Sequence, residues 1–215
     1  WNLHMIGRDV EALEYLDRAA ELAPQWPPVW VDRSQTLIAL GRLDDAVSDA
    51  KRAVEITPAG DTDPLPGLAL GLALLYSGEW LEGFRWYESR IRYRFKEWAA
   101  YPYPIWRGEY VNTLFVQAEQ GLGDEILCLR WLPEVARRVG KVKYFAHREA
   151  RRLIENQDLP DNVEISAIPA PVPEADAWVP GFSIPVALGS VEPLWAGPYL
   201  TAPNPIGLGH PKRFK

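Results

Sequence analysis

Residues 119–124, Glu-Gln-Gly-Leu-Gly-Asp, carry the strongest chemical signal in the sequence. Gly121 and Gly123 allow a sharp turn and leave room for a ligand against the main chain. A helix starting just beyond them points free N–H groups and its positive end at that ligand. This favours an anion and steadies a carboxylate at Asp124. Glu119, Gln120 and the backbone around Leu122 complete a candidate binding turn, and His147 stands at the end of the next apolar run. Several chemistries use glycine turns. A dinucleotide site wants a third glycine, where this chain has Ile126, and an acid near the end of the second strand, where it has His147. A P-loop wants Gly-Lys-Ser/Thr, which is absent. The plain structural alternative is a tight strand–helix turn with Asp124 as helix N-cap. Cys128 reads as a packing residue, because no histidine is paired with it nearby in sequence.

The turn needs a strand before it and a helix after it. Residues 113–119 form a β-rich run, and an apolar stripe through Ile126, Leu127, Leu129, Trp131 and Val135 predicts a helix over 125–139, closed by Gly140. A strand at 142–146, a helix at 149–156, a strand at 163–168, an apolar run at 177–179 and a short helix at 184–188 follow. Such alternation predicts a parallel sheet with flanking helices. Ligands of these sheets sit beyond the carboxyl ends of the strands, which is where residues 119–124 and His147 fall. Residues 96–110, rich in aromatics and proline, read as a linker too apolar to float free.

The first half is built differently. Gly7, Ala12, Ala19 and Pro24 recur 34 residues later as Gly41, Ala46, Ala53 and Pro58. A third copy, with Gly78 and Gly83, follows an insertion of three in the turn-rich stretch 58–66. Each unit predicts two antiparallel helices, with small residues at the close approach, glycine in the turn and proline as the stop. Residues 1–6 would be the stub of an incomplete first unit, and His4, Trp26 and Trp30 read as packing. Arg90, Arg92 and Arg94 spread around a helix and mark no anion site.

Composition sets outer limits. The 215 residues carry 23 Lys+Arg against 29 Asp+Glu, a net charge of -6, which argues against a protein that coats nucleic acid. The single Cys excludes an intramolecular disulfide framework and a Cys-rich zinc site, and fits a reducing compartment. No apolar run approaches the ~18 residues of a membrane span, and no signal peptide is visible. The location expected is cytoplasmic, with no metal and no cofactor. A chain opening on Trp1 inside a helix is expected to be a piece of something longer.

The 34-residue period with its glycine, alanine, alanine and proline positions resembles the tetratricopeptide repeat over residues 1–95. The resemblance implies a peptide groove lined by the first helix of each pair, including Val31, Asp32, Gln35 and Ile38. A wider pattern adds residues 80–83, Tyr87, Glu88, Arg90, 104–106, Gly108, Glu109, 119–124 and 130–133, then 182–185 and 198–200. It is similar to bacterial proteins that join such repeats to a glycosyltransferase domain of the heptosyltransferase type, and to protein O-glycosyltransferases, including flagellin-modifying enzymes. That resemblance implies a Rossmann-like, acceptor-side half of a GT-B fold at 111–215, with a nucleotide-sugar as donor and a protein or glycolipid hydroxyl as acceptor. It makes Asp124 the general base, with Glu119 and His147 as alternative bases, and Gln120 with residues 121–123 as substrate contacts. After 198–200 such proteins continue into a donor-binding half. Here Ile206-Gly-Leu-Gly209 begins something similar, with His210, Lys212, Arg213 and Lys215 as a solvated tail, so the chain by itself is expected to transfer no sugar. The alternative is a non-catalytic scaffold, its repeats binding a protein. The sugar, the acceptor and the oligomeric state are not legible in the sequence.

Overall fold

The computed structural model describes residues 7–93, 101–167, 171–192 and 200. The stub 1–6 with His4, residues 94–100, Ile168, Pro198, Tyr199 and the tail 201–215 lie outside the described residues. The chain divides into two compact units, 1–100 and 101–215, the first helical and the second built on a parallel sheet.

In the helical unit, α1 (Asp9–Leu22), α2 (Pro27–Ala39), α3 (Leu43–Ile56), α4 (Leu65–Ser77), α5 (Trp80–Tyr87) and α6 (Ser89–Tyr93) follow one another through short connections. The repeated residues have repeated jobs. Gly7, Gly41 and Gly78 all adopt left-handed backbone, with φ of 73°, 74° and 91°, a conformation that costs other residues about 1–2 kcal/mol. Ala12 and Ala46 are buried, and α1 and α3 end two residues before Pro24 and Pro58. The insertion is absorbed by two aspartate turns, in which Asp61 and Asp63 accept the N–H groups of Asp63 and Leu65.

The core of this unit joins Leu13, Val31, Leu37, Ala50, Leu70 and Leu74. A fully buried leucine such as Leu37 is worth about 1.5–3 kcal/mol over an exposed one. Arg33 ties three helices together, donating from Nε to Asp17 of α1 at 2.7 Å and from Nη1 to Asp49 of α3 at 2.6 Å. Burial pushes the Asp49 carboxyl above its ordinary value and the Arg33 charge pulls it back. Close approach is also built in at Gly71 of α4, where a Cβ would stand 2.6 Å from the Tyr87 backbone nitrogen.

The second unit holds β1 (Thr113–Gln117), α7 (Leu122–Cys128), α8 (Leu132–Arg138), β2 (Lys141–Ala146), α9 (Arg151–Glu155), β3 (Val163–Ala167), β4 (Ala177–Pro180) and α10 (Ile184–Leu188). All described strand pairs are parallel, in the order β3-β2-β1-β4. The single helix predicted over 125–139 is divided. α7 begins earlier, at Leu122, and a 3-10 turn at Leu129–Trp131 separates it from α8. The cause is Pro133, which has no N–H for the Leu129 carbonyl, so the Leu132 N–H takes that carbonyl instead.

Residues 101–106 of the aromatic segment belong to this second unit. The Trp106 N–H donates to the Trp178 carbonyl at 2.8 Å and the Trp178 N–H to that of Pro104 at 3.0 Å, so Ile105 bridges β4 in parallel. Tyr101 sets its ring edge-on to Phe115 and Trp178 and donates its hydroxyl to Gln117 Oε1 at 2.9 Å. This covers backbone that β4 would otherwise present as an open edge.

Gly71→Val should lower the unfolding free energy by about 1–3 kcal/mol, because the added side chain meets backbone rather than a movable side chain. Urea unfolding followed by circular dichroism measures it; an unchanged midpoint would show that α4 and α5 do not need this approach.

Candidate functional site

In an open parallel sheet, the strand order reverses at one place, and the crevice at the carboxyl ends of those strands takes the ligand. Here the reversal lies between β1, which continues to its neighbour β2, and β4, which returns on the other side of β1. Gln117 is in register with Phe145 of β2 and with Pro180 of β4. Two residues farther along each chain stand Glu119, His147 and Phe182. The register therefore brings the two sequence-predicted residues to one level at the sheet's carboxyl edge, beside the 3-10 turn Gly181–Ser183.

Glu119 is buried, and its Oε1 accepts the Phe182 N–H at 2.6 Å. It closes the end of the β1–β4 pair as an extra rung made by a side chain. Gln120 is exposed and carries the sharp bend, at φ 62°, the left-handed region that a residue with a Cβ rarely occupies. Gly121 does not: its φ is -100° and ψ 174°, ordinary extended backbone. The expectation that the glycines make the bend is thus corrected, since Gln120 makes it. Their second expected role has a physical basis. A Cβ on Gly121 would meet only the Asp124 carboxylate, at 3.5 Å, and one on Gly123 would meet nothing within 4 Å. The main chain there is open to an incoming group, with Leu122 exposed between the glycines.

Asp124 is half-buried, and its Oδ2 accepts the Gly121 N–H at 3.1 Å, so the carboxylate holds the loop closed. It does so from the third position of α7 instead of from the N-cap. Cys128 is buried, with its Sγ 3.0 Å from where a Gly181 Cβ would stand, and so packs α7 against the turn after β4.

Sequence reasoning passed over Glu125. It is 1% exposed, and its carboxylate accepts three contacts from His147: Nδ1 at 2.7 Å from Oε2, and the backbone N–H at 3.2 and 3.3 Å from the two oxygens. A signal was present. Glu125 stands three and four residues before the buried Cys128 and Leu129, so a helical period puts it on the core face. Burial raises its pKa above the usual carboxylate value, with the hydrogen bond and charge of His147 opposing. The Tyr144 hydroxyl is enclosed beside the pair. Burial, then the Glu125 charge, holds its pKa well above the usual 10. His147 remains a quarter exposed, open on the solvent side of the pair.

In the helical unit, Val31 is buried in the core and cannot line a groove. Asp32 and Gln35 are half-buried, and Ile38 packs against the core. An open cleft of about 500 Å³ lies between α3, α4 and α5, lined by Val47, Lys51, Leu70, Leu74, Glu82 and Trp86. Among the described residues no three His, Cys, Asp or Glu side chains are grouped to hold a metal, and no helix is long and apolar enough to cross a membrane.

The chain is similar to Protein FlbA of Caulobacter vibrioides. The two are 26% identical over 152 residues, covering 69% of this chain and 26% of FlbA. The similarity thus spans about a quarter of the length of that curated relative. No family model matches the chain.

The raised Glu125 pKa has a stability consequence. The folded protein binds this proton more tightly than the unfolded chain, so the contribution is full below about 4.5, the ordinary value, and is lost as pH rises through the raised one. Glu125→Gln should therefore flatten the slope of unfolding free energy against pH in that interval. Urea titrations at a series of pH values measure it, and parallel slopes in the two proteins would contradict the burial argument.

Proposed function

We propose that this chain is part of a glycosyltransferase that moves a sugar from a nucleotide-sugar to a hydroxyl of a protein or glycolipid acceptor. The parallel unit would be the acceptor-side, Rossmann-like half of a GT-B domain, and the helical unit a set of tetratricopeptide repeats that recruits the acceptor. The observation that carries the reading is the strand order β3-β2-β1-β4, with a loop open over Gly121 and Gly123 at the point of reversal. A sugar or a peptide backbone needs that kind of approach to the main chain. The repeated left-handed glycines and buried alanines support the repeat assignment.

Asp124 stands where the resemblance puts the base. Its bond to the Gly121 N–H gives it a first task, holding the loop that faces the acceptor, and from there the carboxylate orients the acceptor hydroxyl. The scaffold alternative draws on one observation: Glu119, Asp124 and Glu125 each already bind a backbone N–H, as a purely structural carboxylate would.

The complete gene product, assayed with a panel of nucleotide-sugars and a serine- and threonine-bearing protein acceptor, separates the two. The transferase reading expects sugar on the acceptor, and a fall of about 10²-fold in kcat for Asp124→Asn through loss of hydroxyl orientation. The fold should survive, because the asparagine carbonyl can still accept the Gly121 N–H. Near-normal transfer by that variant would remove Asp124 from the chemistry. Absence of transfer with every donor would favour the scaffold.

A further inference from the structure

We propose that Glu125 and His147 form a carboxylate–imidazole pair that makes His147 Nε2 the proton acceptor of the crevice, serving a hydroxyl-bearing acceptor. The proposal rests on the glycosyl-transfer reading and names, within it, the atom that takes the proton.

The argument begins with hydrogen-bond inventory. An ionised carboxylate only accepts, so a neutral imidazole whose Nδ1 lies 2.7 Å from Glu125 Oε2 must carry its proton on Nδ1. That leaves a lone pair on Nε2. Among the described residues no hydrogen bond to Nε2 is formed, and the ring is a quarter exposed while its partner is fully buried. Hydrogen bonds anchor His147 through its main chain as well. The His147 backbone N–H also binds Glu125, and the Ala150 and Arg151 N–H groups bind the His147 carbonyl at 3.0 and 3.1 Å. The ring is therefore held by its own backbone as well as by its side chain.

The competing bases are committed. Glu119 is buried and holds the Phe182 N–H; Asp124 holds the Gly121 N–H, and moving it to take a proton would undo the loop. Imidazole is also the side chain best matched to proton transfer near neutral pH. Position agrees with chemistry: His147 is level with Glu119, one strand over from the loop at the point of reversal. Glu125, Cys128 on α7 and Glu119 beyond β1 act on the Tyr144 hydroxyl beside the pair, and Arg148 and Glu149 follow His147 in the turn after it.

The step balances as a displacement. The acceptor oxygen forms a bond to the anomeric carbon of the nucleotide-sugar as its O–H bond breaks, and the proton passes to Nε2. The bond from the anomeric carbon to the diphosphate oxygen breaks, and the nucleoside diphosphate leaves with that electron pair. The resulting imidazolium is neutralised by Glu125 through Nδ1–H, and its exposed edge returns the proton to water. Glu125 is a positioning residue and His147 a catalytic one.

Two measurements test this. In the ¹⁵N-labelled chain at mildly alkaline pH, long-range ¹H–¹⁵N correlations assigned with His147→Gln should show the Nδ1–H tautomer with Nε2 unprotonated. Glu125→Gln should give a tautomer mixture, because an amide can donate as well as accept. An Nε2–H ring in the wild type would overturn the proposal. In the complete gene product, His147→Gln should lower kcat by about 10²-fold or more with KM little changed, and remove the acid limb of the pH–rate profile. Glu125→Gln should lower kcat by about tenfold at constant unfolding midpoint. A merely structural pair would leave that variant at the wild-type rate, since glutamine fills the same space and its carbonyl still accepts the His147 N–H. Wild-type transfer by His147→Gln, with Asp124→Asn inactive, would overturn the pair and keep the transferase reading. Absence of transfer in the wild type would overturn that reading and the catalytic step with it, while the tautomer stands or falls by the spectrum.

Discussion

A parallel strand in the middle of a sheet must find partners for its N–H and C=O groups on both sides, and β1 finds them in β2 and β4. That requirement organises the second unit. The chain leaves β1 through α7 and α8 to reach β2, goes outward to β3, and must return to the far side of β1 to complete its pairing. The return creates a reversal of strand order, the place at whose carboxyl edge open parallel sheets take their ligands. Leu114, Phe115 and Val116 are fully buried, as expected of a strand covered on both faces. The Phe115 ring sits edge-on to Phe145 at 4.8 Å, and Tyr101 reaches Phe115 and Trp178 together. The aromatic segment is thus part of what fixes β4 beside β1.

Once the strands are in place, the acids at their ends divide the work by burial. Glu119 and Glu125 are both nearly inaccessible, and an ionised group there is costly unless it gains hydrogen bonds in return. Glu119 gains one from Phe182 and so ties β1 to the turn after β4. Glu125 gains its bonds from His147 and so ties α7 to the end of β2. Asp124, half-exposed, needs less and closes the loop. Three carboxylates within seven residues therefore hold three different connections. The histidine is left as the group with one side anchored and the other open.

The helical unit obeys a different constraint, the distance between helices. Gly71 and Gly83 allow α5 to approach α4 until a Cβ would meet backbone or the Leu75 side chain, and alanines serve the same end in the preceding helices. Where the helices leave polar groups between them, Arg33 fills the gap and bonds to two acids from its neighbours. Burying Asp49 in this network costs desolvation, visible in its raised pKa, and what the network provides is a fixed register among three helices.

The sequence by itself determined what is local or periodic. The 34-residue recurrence is a statement about which residues can turn, pack closely or stop a helix, and those properties belong to Gly41, Ala46 and Pro58 wherever they stand. The alternation of apolar runs set the strands within a residue or two and α10 at its observed bounds; for β1 and β4 the reason is burial, which leaves a continuous apolar mark. Pro133 was equally readable as the cause of the divided helix, but the apolar stripe runs through it and hides the break. Tertiary structure alone decided which strand end faces which. Glu125 and His147 are 22 residues apart, and their bond exists because β1 and β2 pair in one register. Likewise Gln120, not a glycine, takes the left-handed bend. The surrounding strand end and helix fix its backbone, and long-range packing can hold a residue where its own preference would not.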